Sequence, residues 1–181
     1  MSGRNLRPLQ SDSSLDAPDR FTTRPMTVED LEQVVTIDQL SFSLPWPAHS
    51  FRYELLENDV SRQWVVEKQS ASGYPKVIGM IVVWLIMDEA HIATIAVHPE
   101  YRGRGIGRQI LLTALRECAA QGADSATLEV RERNVIAIDM YRKLGFEVVG
   151  RRKRYYQDTN EDAILMTLET QGLKSITSLI V

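Results

Sequence analysis

The sequence predicts one three-layer α/β domain: a mixed, mostly antiparallel sheet of about six or seven strands with helices on both faces. Three observations carry this. Strand-like segments outnumber helical ones. The first half has the character of a hairpin, whereas the second half alternates strand and helix, which fits a pure doubly wound sheet poorly. The chain has 181 residues, 44% hydrophobic and 25% charged, enough for a single core.

Residues 1–20 mix Ser11, Ser13, Ser14, Pro8 and Pro18 without apolar period and read as a flexible tail. A short strand is expected from Phe21 to Arg24-Pro25, since proline restricts its predecessor to extended geometry. Thr27, with Asp30 three residues on, marks a helix start, and Leu31, Val34, Val35 and Leu40 mark its core face. After the proline-broken Phe42-Ser43-Leu44-Pro45-Trp46-Pro47, helical spacing resumes at Phe51, Leu55 and Leu56. Residues 63–67 and 77–87 are strands joined by a hairpin loop over 70–75, and the unbroken apolar run of the second predicts burial on both faces.

Residues 91–97 form the next strand, stopped by Pro99. The helix over 106–120 turns Ile110, Leu111, Leu115 and Cys118 inward and is closed by Gly122. A strand over 126–131, a helix over 135–144 ended by Gly145, and strands over 146–149 and 163–168 complete the domain at about residue 170. Residues 171–181 read as a C-terminal tail.

Composition excludes several classes. With 21 basic and 24 acidic residues the net charge is −3, so no long-range pull toward nucleic acid or anionic lipid is built into the total. The run Arg151-Arg152-Lys153-Arg154 before Tyr155-Tyr156 offers local charge and stacking, but direct nucleic-acid binding is not expected. A single cysteine, Cys118, leaves no disulfide partner and reads as a buried hydrophobe, not an acyl carrier. His49, His91 and His98 lack ligand spacing and read as packing or surface residues, so no metal is expected. No apolar run reaches the roughly 18 residues of a membrane helix, and a cytoplasmic protein is expected.

The most informative stretch is Val97-His98-Pro99-Glu100-Tyr101-Arg102-Gly103-Arg104-Gly105-Ile106-Gly107, a strand followed by a glycine-rich turn that opens a helix. Unpaired N–H groups and the positive end of the helix dipole make such a turn suited to a pyrophosphate, with Arg102 and Arg104 adding charge. A Walker loop is excluded for want of Gly-Lys-Ser/Thr, and a dinucleotide fingerprint because Arg108 stands where glycine is required. A plain tight connection remains the alternative on the turn alone.

Arg102, Gly105 and Gly107 match the Arg/Gln-x-x-Gly-x-Gly/Ala pattern of the GCN5-related N-acetyltransferase (GNAT) superfamily, which residues 21–170 resemble. Leu128-Glu129-Val130-Arg131-Glu132-Arg133-Asn134 and Met140-Tyr141-Arg142-Lys143-Leu144-Gly145-Phe146 look like its later strand and helix. The segment 42–46, together with 152–156 and 161–163, resembles the RimI-type branch, which acetylates the N-terminal alanine of a small-subunit ribosomal protein. The resemblance implies acetyl-CoA as donor, its pantetheine along Ile95, Ala96 and Val97. It implies a pyrophosphate held by Arg102, Gly103, Arg104, Gly105, Ile106 and Gly107, a contact from Asn134, Glu129 as base and Tyr141 as acid. Arg133 departs from the small residue often found before Asn134 in that branch, and residues 1–20 and 171–181 fall outside the shared pattern.

Residue chemistry bears on the same positions. Acyl transfer from a thioester needs a neutral amine and a protonated leaving thiol, hence two proton-handling groups. Alternation puts Leu128 and Val130 on one face of their strand and Thr127, Glu129 and Arg131 on the other, where Glu129 is either a base or a strand residue that is solvated or paired with Arg131. Tyr141, four residues after Ala137 and four before Gly145, is either an acid beside the sheet or a core-edge tyrosine. Tyr155 or Tyr156 is expected to wall an acceptor pocket. Lysine or a small amine as acceptor, and a CoA-binding module without turnover, are the alternatives.

Overall fold

The computed structural model describes residues 21–69 and 75–178. The expected tail over 1–20 and most of the 70–75 loop lie outside the described residues. The strands are β1 (Phe21–Pro25), β2 (Ser61–Lys68), β3 (Lys76–Ile86), β4 (Glu89–Val97), β5 (Ser125–Arg131), β6 (Glu147–Tyr156) and β7 (Glu161–Leu168). The helices are α1 (Leu31–Ser41), α2 (Ala48–Leu56), α3 (Ile106–Ala120), α4 (Val135–Lys143) and α5 (Thr170–Ser178). All seven strands form one sheet in the order β1-β2-β3-β4-β5-β7-β6. Only β4 and β5 run parallel among the described neighbours, because α3 carries the chain back between them.

Each face of the sheet has its own core. Ile110, Leu111, Ala114, Leu115 and Cys118 of α3 are fully buried against Ile78, Ile81 and Val83 of β3 and Leu128 and Val130 of β5. Burying each large aliphatic side chain contributes about 1.5–3 kcal/mol. On the opposite face Val34 and Ile37 of α1 and Phe51 of α2 meet Val65, Met80, Val82 and Ala96. Because both faces of β3 are covered, its sequence is an unbroken apolar run, as expected.

Several boundaries depart from expectation. Thr27 and Asp30 open a short 3₁₀ turn, Val28–Asp30, and the α-helix begins only afterwards. The Asp30 carboxylate accepts from the Thr27 N–H at 2.8 Å and also pairs with Arg24 at 2.7 Å, so it serves the strand and the turn together. Leu40 is 52% exposed, not core, and Ile37 takes the inward position. At about 100° per residue, Leu40 lies about 240° around the helix from Val34. β6 continues to Tyr156, well past the expected end at Val149. Residues 170–178, expected within or beside a tail, form α5, which buries Leu173 and Ile176 in the α3-side core.

Candidate active site

The β4–β5 ladder runs only from Glu89↔Ser125 to Ile92↔Leu128. On its other edge, β4 passes from Val82↔Thr94 to Val83↔Ile92, so Ala93 is an extra residue without a β3 partner. Such a bulge bends the strand. β5 meanwhile stays with β7 as far as Arg131↔Ala163. The two strands therefore part beyond Ile92 and Leu128. A cavity of about 810 Å³ occupies the fork, lined among others by Thr94, Ile95, Glu129, Asn134, Tyr141 and Tyr156. Ala96 and Val97 lie farther along β4, their side chains packed on the α1–α2 and α3 sides respectively. Past the fork, the edge of β4 that faces β5 has backbone groups left for a ligand to satisfy.

At the end of β4 the glycine turn has the geometry anticipated. Gly103 (φ 75°) and Gly105 (φ 78°) adopt left-handed conformations, and no atom lies within 4 Å of where a Cβ would stand at either. The first α-helical bond is Gln109 N–H to Gly105 O at 3.0 Å, so the N–H groups of Ile106, Gly107 and Arg108 precede the ladder and are suited to hold an anion. Gly107 differs: a Cβ there would rest 3.7 Å from Met140 Sδ and Val97 Cγ2, ordinary contacts. The arginines do more than neutralise charge. Arg102 donates through Nε to Val97 O and through Nη2 to Ser41 Oγ, both at 3.0 Å, bracing the turn against β4 and α1. Arg104 donates to Glu100 O at 3.3 Å and lies 5.1 Å over the Tyr101 ring.

Leu128 and Val130 are buried in the α3-side core with Tyr141, so alternation turns Glu129 to the α1–α2 side. Glu129 and Tyr141 thus reach one cavity from opposite faces of the sheet. The Glu129 side chain is 15% exposed and pairs with Arg152 Nη1 at 3.0 Å and His91 Nε2 at 3.5 Å. Its partner is not Arg131, the pairing weighed from sequence. Arg131 instead pairs with Asp158 at 2.8 Å and Glu161 at 3.4 Å, and its guanidinium lies 4.0 Å over the Tyr156 ring. Ser43 donates to the same Asp158, which ties the loop after α1 to the β6–β7 turn across the mouth of the cavity.

Tyr141 is 4% exposed and packs against Phe146 at a ring separation of 5.7 Å. Burial, and secondarily the neighbouring Tyr156 phenol, push its pKa up, so the hydroxyl stays protonated well above neutrality. The Tyr156 phenol is likewise pushed up to about 12, chiefly by burial, with Arg131 opposing. Asn134 caps α4 by accepting from Ala137 N–H at 3.3 Å, which leaves its Nδ2 as the group available to a ligand. Tyr155 and Tyr156 both wall the cavity. Arg131, Asp158, Arg152 and His91 were not singled out from sequence as site residues. The one signal for Arg131 was that it shares a strand face with Glu129.

Residues 31–146 match the model of the Acetyltransferase (GNAT) family. The chain belongs to this family. A Bacillus subtilis (strain 168) relative is 39% identical over 147 residues, covering 81% of this chain and 94% of the relative. The ribosomal protein bS18-alanine N-acetyltransferase of Escherichia coli K12 is 31% identical over 149 residues, 81% of this chain and 96% of that one. A crystal structure of the ribosomal-protein-S18-alanine N-acetyltransferase from Escherichia coli superposes with a TM-score of 0.73 at 29% identity, covering 83% of this chain and 94% of that chain. As a GNAT protein the chain is an N-acetyltransferase, and its seven-stranded, mostly antiparallel sheet with helices on both faces is the GNAT fold. Among the described residues no helix is long and apolar enough to cross a membrane, and no cluster of three or more His, Cys, Asp or Glu is arranged to hold a metal.

Proposed function

We propose that this GNAT protein transfers acetyl from acetyl-CoA to the α-amine of a protein N-terminus, the N-terminal alanine of ribosomal protein bS18, in the cytoplasm. One observation carries the reading: a carboxylate and a buried phenol reach a single fork from opposite faces of the sheet. The donor supplies an activated acetyl thioester. Gly103, Gly105 and the first N–H groups of α3 hold its pyrophosphate, and the free edge of β4 over Ile95, Ala96 and Val97 takes its pantetheine amides. Asn134 contributes Nδ2. Glu129 takes a proton from the incoming amine, and Tyr141 gives one to the departing sulfur.

The relatives named for bS18-alanine acetylation support this acceptor. So does a structural neighbour, the NatC complex bound to a Gag peptide and CoA, with a TM-score of 0.72 at 25% identity. Acid–base chemistry points the same way. An α-amine of pKa about 7.7–8.0 is about a tenth neutral near pH 7, whereas lysine at roughly 10.4 is under a thousandth neutral, and a single carboxylate suits the former.

The test is mass-spectrometric mapping of acetyl groups on an alanine-starting bS18 peptide and on a peptide with a blocked N-terminus and free lysines. Modification of the α-nitrogen alone is expected. Acetyl-lysine alone overturns the acceptor, and binding of acetyl-CoA without release of thiol to any amine overturns the enzymatic reading.

A further inference from the structure

Behind Glu129, on the α1–α2 side, lies a second cavity of about 240 Å³ lined by Glu89, His91, Thr127, Glu129 and Arg152 among others. Four of these side chains stand in a row along β4 and β5: Glu89, Thr127 and His91 are joined by hydrogen bonds, and Glu129 lies within ion-pair range of His91. Thr127 Oγ1 donates to Glu89 Oε1 at 2.8 Å, His91 Nδ1 lies 3.1 Å from Thr127 Oγ1, and His91 Nε2 lies 3.5 Å from Glu129 Oε2. The directions are fixed by valence. An ionised Glu89 only accepts, so the threonine hydroxyl spends its one proton there and must accept from His91 Nδ1–H. Neutral His91 therefore carries its proton on Nδ1 and turns the lone pair of Nε2 toward Glu129. Trp84 stacks on the imidazole at a centroid distance of 5.5 Å and fixes its plane.

We infer that His91 relays the proton that Glu129 removes from the acceptor amine, out of the catalytic cavity and into this second one. The inference rests on the proposed reading of Glu129 as base. An ammonium acceptor and a thioester give an amide, a free thiol and one proton in excess. The first ammonium proton passes to Glu129. The amine nitrogen then bonds to the carbonyl carbon, the C–S bond breaks, and the sulfur takes a proton from Tyr141. The second nitrogen proton balances reprotonation of Tyr141. The proton on Glu129 is the excess one: it passes to His91 Nε2, the Nδ1 proton moves to Thr127 Oγ1 as the hydroxyl proton moves to Glu89, and the half-buried Glu89 gives it to solvent before the next turnover.

One carboxylate oxygen of Glu129, Oε1, is held by Arg152, and the other, Oε2, faces His91 Nε2, which gives its proton a direct route into the second cavity. The 3.5 Å separation is longer than a working hydrogen bond, as is common before substrate binds, and a rotation of the carboxylate closes it. The charged and titratable groups facing the resulting imidazolium are Glu89 on its own strand, Glu129 on β5 and Arg152 on β6. His91 is in this sense a positioning and relay residue, not one that touches the acetyl group.

The experiment measures steady-state acetylation of the alanine-starting peptide by the full chain as wild type, His91→Ala and His91→Gln, with and without added imidazole. In both variants kcat is expected to fall about tenfold or more while the affinity for acetyl-CoA, measured separately, stays at the wild-type level. Imidazole, small enough for the vacated cavity, should restore His91→Ala in proportion to its neutral form and leave the bulkier His91→Gln unrescued. Wild-type kcat in His91→Ala overturns the relay. So does a loss shared by both variants that imidazole does not relieve while acetyl-CoA still binds. Wild-type protein that acetylates no α-amine overturns the base-and-acid reading underneath, which is a different failure from an active enzyme indifferent to His91.

Discussion

The sharpest perturbation of the glycine turn compares alanine at Gly105 with alanine at Gly107. Gly105 has φ 78°, a region where an L side chain costs roughly 1–2 kcal/mol, yet a Cβ there would meet no atom within 4 Å. The penalty is therefore purely one of backbone conformation. It must appear either as lost stability, if the turn keeps its shape, or as lost affinity, if the turn relaxes and misaligns its N–H groups. In the second case 1–2 kcal/mol is about a 5- to 30-fold rise in the dissociation constant for acetyl-CoA. At Gly107 the backbone is unstrained and the added methyl makes ordinary 3.7 Å contacts with Met140 and Val97, so little change is expected. Isothermal titration with acetyl-CoA, paired with urea denaturation of the same variants, separates the two outlets. If Gly105→Ala moved neither quantity, or if Gly107→Ala weakened binding as much as Gly105→Ala, the assignment of this turn as a backbone anion cradle would be wrong.

Two further predictions concern the acid and the acid stability. Tyr141→Phe should lower kcat by about 10²–10⁴ with acetyl-CoA affinity barely altered, because the ring still packs on Phe146 and only the proton donor is lost; equal turnover would remove Tyr141 from the mechanism. Hydrogen bonds from Arg24 and Thr27 outweigh burial and hold the Asp30 carboxyl below its ordinary range. Its folded pKa is thus lower than the unfolded one, so this stabilisation is complete above about pH 4 and is lost as pH falls through the folded value. Urea midpoints at pH 6 and pH 3 should drop less in Asp30→Asn than in wild type, and an equal drop in both would show that Asp30 does not contribute.

The legible parts of the molecule were those set by period and by punctuation. α3 begins at Ile106 and ends at Ala120 as read, because each end is set locally, by the glycine turn just before Ile106 and by Gly122 (φ 106°) just after Ala120, with an apolar stripe between them. β3 was legible because two covered faces leave no polar positions. The helix α1 was harder, since Asp38 occupies a core position and breaks the stripe that would have pointed to Ile37. Asp38 is there for a tertiary reason: its Oδ2 accepts from the Trp46 N–H at 2.7 Å and fixes the aromatic loop, a contact no local pattern reveals.

In the same way, Glu129 and Tyr141 could be picked out through a resemblance and through strand alternation, while the charges around them could not. Arg131 shares β5 with Glu129, whereas Arg152 sits on β6, and whether Arg152 meets Glu129 depends on the register of β6 against β7. That register shifts between Val148 and Gly150 and again between Arg152 and Tyr156. The first of these shifts puts one extra residue into β6 and reverses which side chains face the fork, so a run of four basic residues does not by itself say which member is inside.

The fork itself explains why a sheet of this kind does chemistry. Had β4 continued alongside β5, Glu129 and Tyr141 would remain on opposite faces of a closed ladder, with no reacting atom able to touch both. The extra residue Ala93 prevents that by bending β4 away just where the parallel pairing stops. Each strand hydrogen bond forgone costs about 0.5–1.5 kcal/mol net, and the fully buried clusters on both faces of β3 and β4 supply the stability that tolerates the loss. A donor that presents amides along the open edge restores those bonds only when bound. The same unpaired edge that weakens the empty protein therefore favours the aligned complex, and on the function proposed above it places the thioester at the fork, within reach of groups from both faces of the sheet.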